Sequence, residues 1–254
     1  LRAPAGPART EVLQLAENWL GELRVGQFSP DLGSSLRELV LANCQIARIE
    51  PGAFEPLHSL RTLDLGQNAT LVSLGPDCFR GLHNLRELSL SGCQISSLNA
   101  ATFSGLVALK CLSLADNRIA SVPQGLFKGV GVGGGGGGGS LEKLVLSGNP
   151  LGGTLTASQL AGLGGLKELH VGNCGLVSVA PSALKGLMLS LRVLNLSGNQ
   201  IKSLPSGVFN ENSSGSSSSS IRELDLSGNR MGAVAAHAFA GLQRLQRLQL
   251  DHNE

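Results

Sequence analysis

The spacing Leu-x-x-Leu-x-Leu recurs along this chain with a regularity that only a stack of like units satisfies. It is read at Leu36-x-x-Leu39-x-Leu41-x-x-Cys44-x-Ile46, at Leu85-x-x-Leu88-x-Leu90-x-x-Cys93-x-Ile95 and at Leu191-x-x-Leu194-x-Leu196-x-x-Asn199-x-Ile201. Units start at Thr10, Leu36, Leu60, Leu85, Leu109, Leu141, Leu166, Leu191, Ile221 and Leu245, giving nine complete units and a tenth cut short at Glu254. Residues 1–9 form a flank, and 10–254 are expected to be one array. All 7 phenylalanines keep one register. Phe28, Phe54, Phe103, Phe127, Phe209 and Phe239 follow a unit start by eighteen residues and Phe79 by nineteen, while Leu160 and Leu184 take the place in the remaining two.

Alternate leucines of a short extended segment point to one side, so each unit is expected to supply one brief strand. A single unit cannot bury its own leucines, and neighbours must share a continuous core. Strands stack at about 4.8 Å, but the return path carrying Ile46, Ile49, Phe54 and Leu57 is bulkier. The stack is therefore predicted to curve with the strands inside.

The ninth position reads Asn18, Cys44, Asn68, Cys93, Asn117, Asn149, Cys174, Asn199, Asn229 and Asn253. A carboxamide both donates and accepts, which suits backbone groups left free where the chain turns inward after a strand. Cysteine there makes weaker hydrogen bonds but packs as a small hydrophobe.

The stretch from Leu191 to Phe209, with its leucine strand, second apolar pair and phenylalanine, resembles the leucine-rich repeats of animal extracellular proteins. The resemblance spans residues 10 to 254. It implies an α/β solenoid, a curved horseshoe with a parallel β-sheet on the concave face and loops or short helical turns on the convex one. It further implies protein recognition in a receptor, adhesion or matrix ectodomain, at the cell surface or outside it. Paired-cysteine caps of extracellular members are missing, which leaves an intracellular scaffold or inhibitor as an alternative; the expectation here is an internal fragment. A structural spacer is the third reading.

Composition narrows the partners. With 20 basic and 18 acidic residues the formal charge is +2, without the basic excess of a nucleic-acid binder. There is no tyrosine, and the phenylalanines are committed to the repeat, so no platform for stacking bases is expected. The apolar runs fall short of the ~18 residues a membrane span needs. Cys44, Cys93 and Cys174 lie in non-adjacent units, and with Cys78 and Cys111 all five thiols are expected to be free.

Catalysis calls for convergent groups with tuned ionisation. His58 and His83 occupy matching places in adjacent units but lack a third metal ligand. His170 and Asp225 are separated by an entire strand. The run from Gly133 to Gly139 lacks the lysine and hydroxyl of a phosphate loop. Neither enzyme activity nor a cofactor is expected.

Recognition is placed on the outward strand positions, three and five of each unit. Lys143, Val145, Glu168, His170, Asn195, Glu223, Asp225 and Arg247 form the richest cluster, on five consecutive strands. A partner with basic groups facing Glu168, Glu223 and Asp225 is the sharpest form of the hypothesis. Position two supplies a basic column of Arg37, Arg61, Arg86, Lys110, Lys167, Arg192 and Arg222, which read alone suggests a sulfated polysaccharide. Glu38, Glu87, Glu168 and Glu223 follow four of them, and a salt-bridged edge is the reading adopted. Trp19 is expected to pack partly against the edge of the array. Two low-complexity insertions, 129–140 and 211–220, enter after the phenylalanine; Asn212 and Asn195 head acceptor triplets for glycosylation.

Overall fold

The computed structural model describes residues 9–132, 141–209, 219–232 and 237–254. The glycine run Gly133 to Gly139, most of both insertions and Asn212 lie outside the described residues.

One strand per unit is what forms. Val12–Gln14, Glu38–Val40, Thr62–Asp64, Glu87–Ser89, Cys111–Ser113, Lys143–Val145, Glu168–His170, Val193–Asn195, Glu223–Asp225 and Arg247–Gln249 make a single sheet of ten strands in chain order. Every adjacent pair is parallel, and the register places like position on like position, as in Glu168↔Val193 and His170↔Asn195. Central leucines of the inner strands point inward, Leu39, Leu63, Leu144, Leu169 and Leu194 having no exposed surface, while Leu248 of the tenth strand is 39% exposed. Burying a leucine fully is worth roughly 1.5–3 kcal/mol, and repetition across units makes this the main source of stability.

The return paths are turns, with Pro30–Leu32 the one 3-10 helix among the described residues. They add short parallel pairs on the convex side, Glu22–Leu23 with Arg48–Ile49 and Thr154–Leu155 with Ser178–Val179. Phenylalanine rings stack along this layer, with centroids 5.8 Å apart for Phe28 and Phe54 and 6.3 Å for Phe54 and Phe79. Leu160 and Leu184 fill the same layer and are buried. A solenoid with strands on one side and rings on the other follows, curved around the strand side.

Asparagine ties consecutive units together. Asn199 Oδ1 accepts the N–H of Cys174 and of Leu176, each at 3.0 Å, while its Nδ2 donates to Val171 O at 2.9 Å and Leu196 O at 2.8 Å. Asn117, Asn149, Asn229 and Asn253 each accept one N–H of the preceding unit, from Ile95, Ile119, Ile201 and Met231, and donate to a carbonyl of that unit. Among the described residues, Asn18 in the first unit bonds within its own turn, to Leu15 O and Ala16 O. Where cysteine stands instead, its thiol donates to the carbonyl that an asparagine would reach: Cys44 to Leu15 O, Cys93 to Leu65 O and Cys174 to Leu146 O.

The residue before each ladder position is left-handed in all ten units. Glu17, Asn43, Gln67, Gly92, Asp116, Gly148, Asn173, Gly198, Gly228 and His252 have φ between 53° and 73°. This bend carries the chain off the strand and into the core. Glycine, asparagine and aspartate dominate because they tolerate it at least cost.

Candidate recognition surface

Positions three and five of every strand emerge on the concave face. Lys143, Glu168, Val193, Glu223 and Arg247 lie in one column and Val145, His170, Asn195, Asp225 and Gln249 in the next. All eight residues singled out above are thus brought onto one surface.

Their charges are largely engaged with one another. Lys143 Nζ stands 2.8 Å from Glu168 Oε2, which His170 Nε2 approaches to 3.5 Å. The hydrogen bond from Lys143 holds the Glu168 carboxyl below the usual carboxylate range. Arg247 lies 3.4 Å from Glu223. Asp225 Oδ1 accepts the backbone N–H of Ser227 at 2.9 Å and its hydroxyl at 2.6 Å, and Asn195 Oδ1 does the same with Ser197 at 2.9 and 2.7 Å. His170 and Asp225 remain one strand apart, with Asn195 between them.

A shallow hollow of about 320 Å³ lies lower on the same face, lined by Asp64, Glu87, Cys111, Ser113, Lys143 and Val145 among others. It overlaps the cluster read from the sequence only at Lys143 and Val145. Cys111 is half-buried, and burial with the nearby Glu87 carboxylate raises its thiol pKa. All five cysteines are free, and the other four are buried.

Two expectations are corrected. Trp19 does not pack against the edge: it is 87% exposed. The basic column is not neutralised by the glutamates that follow it in the chain. Position two leaves the sheet at its lateral edge, whereas position three faces the concave side. Glu168 and Glu223 therefore turn to position-three cations on neighbouring strands. The acid that does enter the column is Glu142, which the sequence reading passed over. It lies 2.9 Å from Lys110 and 2.7 Å from Lys167, and the two lysines pull its carboxyl below the ordinary range. Glu142 is visible in the sequence as the acid that interrupts the run of bases between those lysines.

His58 Nδ1 and His83 Nδ1 each face a backbone carbonyl, Pro56 O at 3.1 Å and Gly105 O at 3.3 Å. No group of metal-ligating side chains occurs among the described residues. No helix among them is long and apolar enough to cross a membrane.

The profile of the leucine rich repeat family matches residues 34–95, 84–151, 164–214 and 211–254. Podocan-like protein 1 of Mus musculus is 31% identical over 276 residues, covering 98% of this chain and 45% of that protein. Transforming growth factor beta activator LRRC33 of Danio rerio is 29% identical over 249 residues, 97% of this chain and 31% of that one. The chain thus spans less than half the length of either relative. Among solved structures, the TLR13–ssRNA13 complex superposes with a TM-score of 0.74 at 30% identity, covering 89% of this chain and 29% of that chain. The mouse RP105/MD-1 complex gives 0.71 at 23% identity over 91% and 36%, a likeness of fold.

Proposed function

The chain belongs to the leucine-rich repeat family, and from that premise we propose that it is a non-enzymatic protein-recognition module of an extracellular receptor, adhesion or matrix protein. One observation carries the reading: the unbroken parallel register sets two polar columns side by side across ten strands. Such a surface suits a broad protein partner, since an enclosing pocket of the kind that holds small molecules is not what it offers. Lys143, Val145, Glu168, His170, Asn195, Glu223, Asp225 and Arg247 are the proposed contacts. A basic group of the partner competes with Lys143 for Glu168 and with Arg247 for Glu223, so binding exchanges one ion pair for another and gains specificity more than raw affinity.

The relative named as an activator supports this class of role. Asn195 has two possible uses that exclude one another. A glycan on its side chain would cover the strand proposed to meet the partner, and digestion with a glycosidase followed by mass measurement distinguishes them. A second reading, an intracellular scaffold using the same face, is favoured by the five free thiols.

The test is a screen against an array of secreted and cell-surface ectodomains. A hit should lose at least about tenfold in affinity with the triple variant Glu168→Lys, Glu223→Lys, Asp225→Lys and keep its affinity with convex-face Val72→Glu. Equal binding by the triple variant refutes the concave-face reading.

A further inference from the structure

We propose that Lys167, Arg192, Arg222 and Arg244 form a second binding site, on the lateral edge of the sheet, for the sulfo groups of a linear sulfated polysaccharide. These side chains line a cleft of about 220 Å³ together with Gly165, Ser190 and Ser220. It is separate from the concave columns and does not rest on their assignment.

The main chain sets the spacing. Arg192 N donates to Lys167 O at 2.8 Å and Arg222 N to Arg192 O at 2.8 Å, so the three cations stand immediately before successive strands at intervals of about 4.8 Å. Arg244 joins from the turn before the last strand. Lys167 is shared with Glu142, but among the described residues Arg192, Arg222 and Arg244 form no ion pair, and their side chains make no hydrogen bond to the protein. The acids next to them in the chain are drawn away, Glu223 to Arg247 and Glu168 to Lys143. Like charges placed opposite one another on adjacent strands are destabilising. This edge therefore bears a repulsion that a bound anion relieves.

The chemistry selects the occupant. Guanidinium forks bind tetrahedral oxyanions through paired, charge-assisted hydrogen bonds, and the serine hydroxyls suit sulfo and sugar oxygens. The cleft lies below the usual volume of a small-molecule pocket, which fits a charged substituent of a longer chain. Its lining holds no aromatic residue on which a nucleobase could stack. Leu189 is its one large apolar side chain, where an acidic peptide would need several anchors. A line of cations at strand spacing fits a polymer that carries anions at short intervals.

The experiment measures binding of a heparin decasaccharide, its desulfated counterpart, polyglutamate and polyuridylate to the full chain by calorimetry at about 0.15 M salt. The sulfated decasaccharide is expected to bind and the desulfated one not. Arg192→Gln with Arg222→Gln should weaken binding at least about tenfold, while Arg37→Gln with Arg61→Gln, on the same column at the other end, stays within about twofold. Arg192, Arg222 and Arg61 are exposed, whereas Arg37 is half-buried and donates to Ser59 O at 3.1 Å, so the thermal midpoint of the first pair should be unchanged; if the first pair fails to fold, Arg244→Gln alone must show the loss. Absence of binding, equal binding of the desulfated chain, equal losses in the two double variants, or tighter binding of polyglutamate or polyuridylate overturns the proposal.

Discussion

Asn68 Oδ1 accepts the backbone N–H of Cys44 at 2.8 Å and that of Ile46 at 3.0 Å, so a side chain of one unit closes the turn of the unit before it. The same carboxamide donates to Leu41 O at 3.0 Å and Leu65 O at 2.7 Å, and none of these groups is reached by water. Each buried backbone group left without a partner costs about 1–3 kcal/mol. Asn68→Ala is expected to destabilise the array by at least about 3 kcal/mol, read as a lower midpoint in chemical denaturation. Asn18→Ala, which among the described residues removes bonds within an exposed turn, should cost under about 1 kcal/mol. Equal losses would mean that bridging between units is not what the asparagine supplies.

The ladder and the strand columns were legible because both follow from a repeat length and a period of two. The spine was legible for the same reason, since Phe79 keeps its layer despite its extra residue. Ion pairing was not. Arg37 and Glu38 are neighbours in the chain but leave the backbone in different directions, whereas Glu142 meets Lys110 and Lys167 across strands. Stacking register, not sequence adjacency, decides which charges meet. The left-handed bend before the ladder escaped notice because Glu17, Gln67 and His252 mask a position otherwise held by glycine, asparagine or aspartate. Trp19 stands at the tenth place of its unit, which Gln45, Arg118, Gln200 and Arg230 hold elsewhere, so the repeat gives this large apolar side chain no inward place.

Gly81 lies on the convex turn with φ +95°, where a Cβ would stand 2.7 Å from Glu55 Cα and 2.9 Å from Glu55 O. The obstacle is the backbone of the adjacent unit, which a rotamer change cannot move. Gly81→Ala combines left-handed strain with that overlap and is expected to cost about 2–4 kcal/mol. Gly105→Ala, at φ +87° in open space, meets the strain alone and should cost about 1–2 kcal/mol. Thermal unfolding of the two variants separates steric from conformational cost, and a smaller loss at Gly81 contradicts the close approach.

Glu142 ties stability to acidity. Lys167 and Lys110 lower its carboxyl below the ordinary 4.5 in the folded chain. A depressed carboxylate stabilises the fold above its unfolded value, and that contribution is lost as pH falls through the folded value. The pair is partly exposed and screened, so the effect is under about 1 kcal/mol. Wild type should exceed Glu142→Gln in stability at pH 7, with the gap closing below about pH 4 and shrinking in high salt. A gap independent of pH would point to packing instead of charge.

The five thiols should separate sharply by accessibility. Burial pushes the Cys78 thiol up to about 12, and burial also raises Cys93 and Cys174. Thiolate is the reactive form, so a buried thiol that resists ionisation stays inert to alkylation. Cys111 is raised too, by burial first and by Glu87 second, yet its half-exposed place on the concave face leaves it open to reagent. Iodoacetamide at pH 8 is therefore expected to modify one cysteine slowly in the native protein and all five after denaturation. Peptide mapping should find the native label on Cys111, and Cys111→Ser should abolish it. Because the Lys143 ammonium favours the thiolate and Glu87 opposes it, Glu87→Gln should speed the reaction and Lys143→Gln slow it. Native labelling of Cys78 at a comparable rate would show that the convex layer opens far more readily than its packing implies.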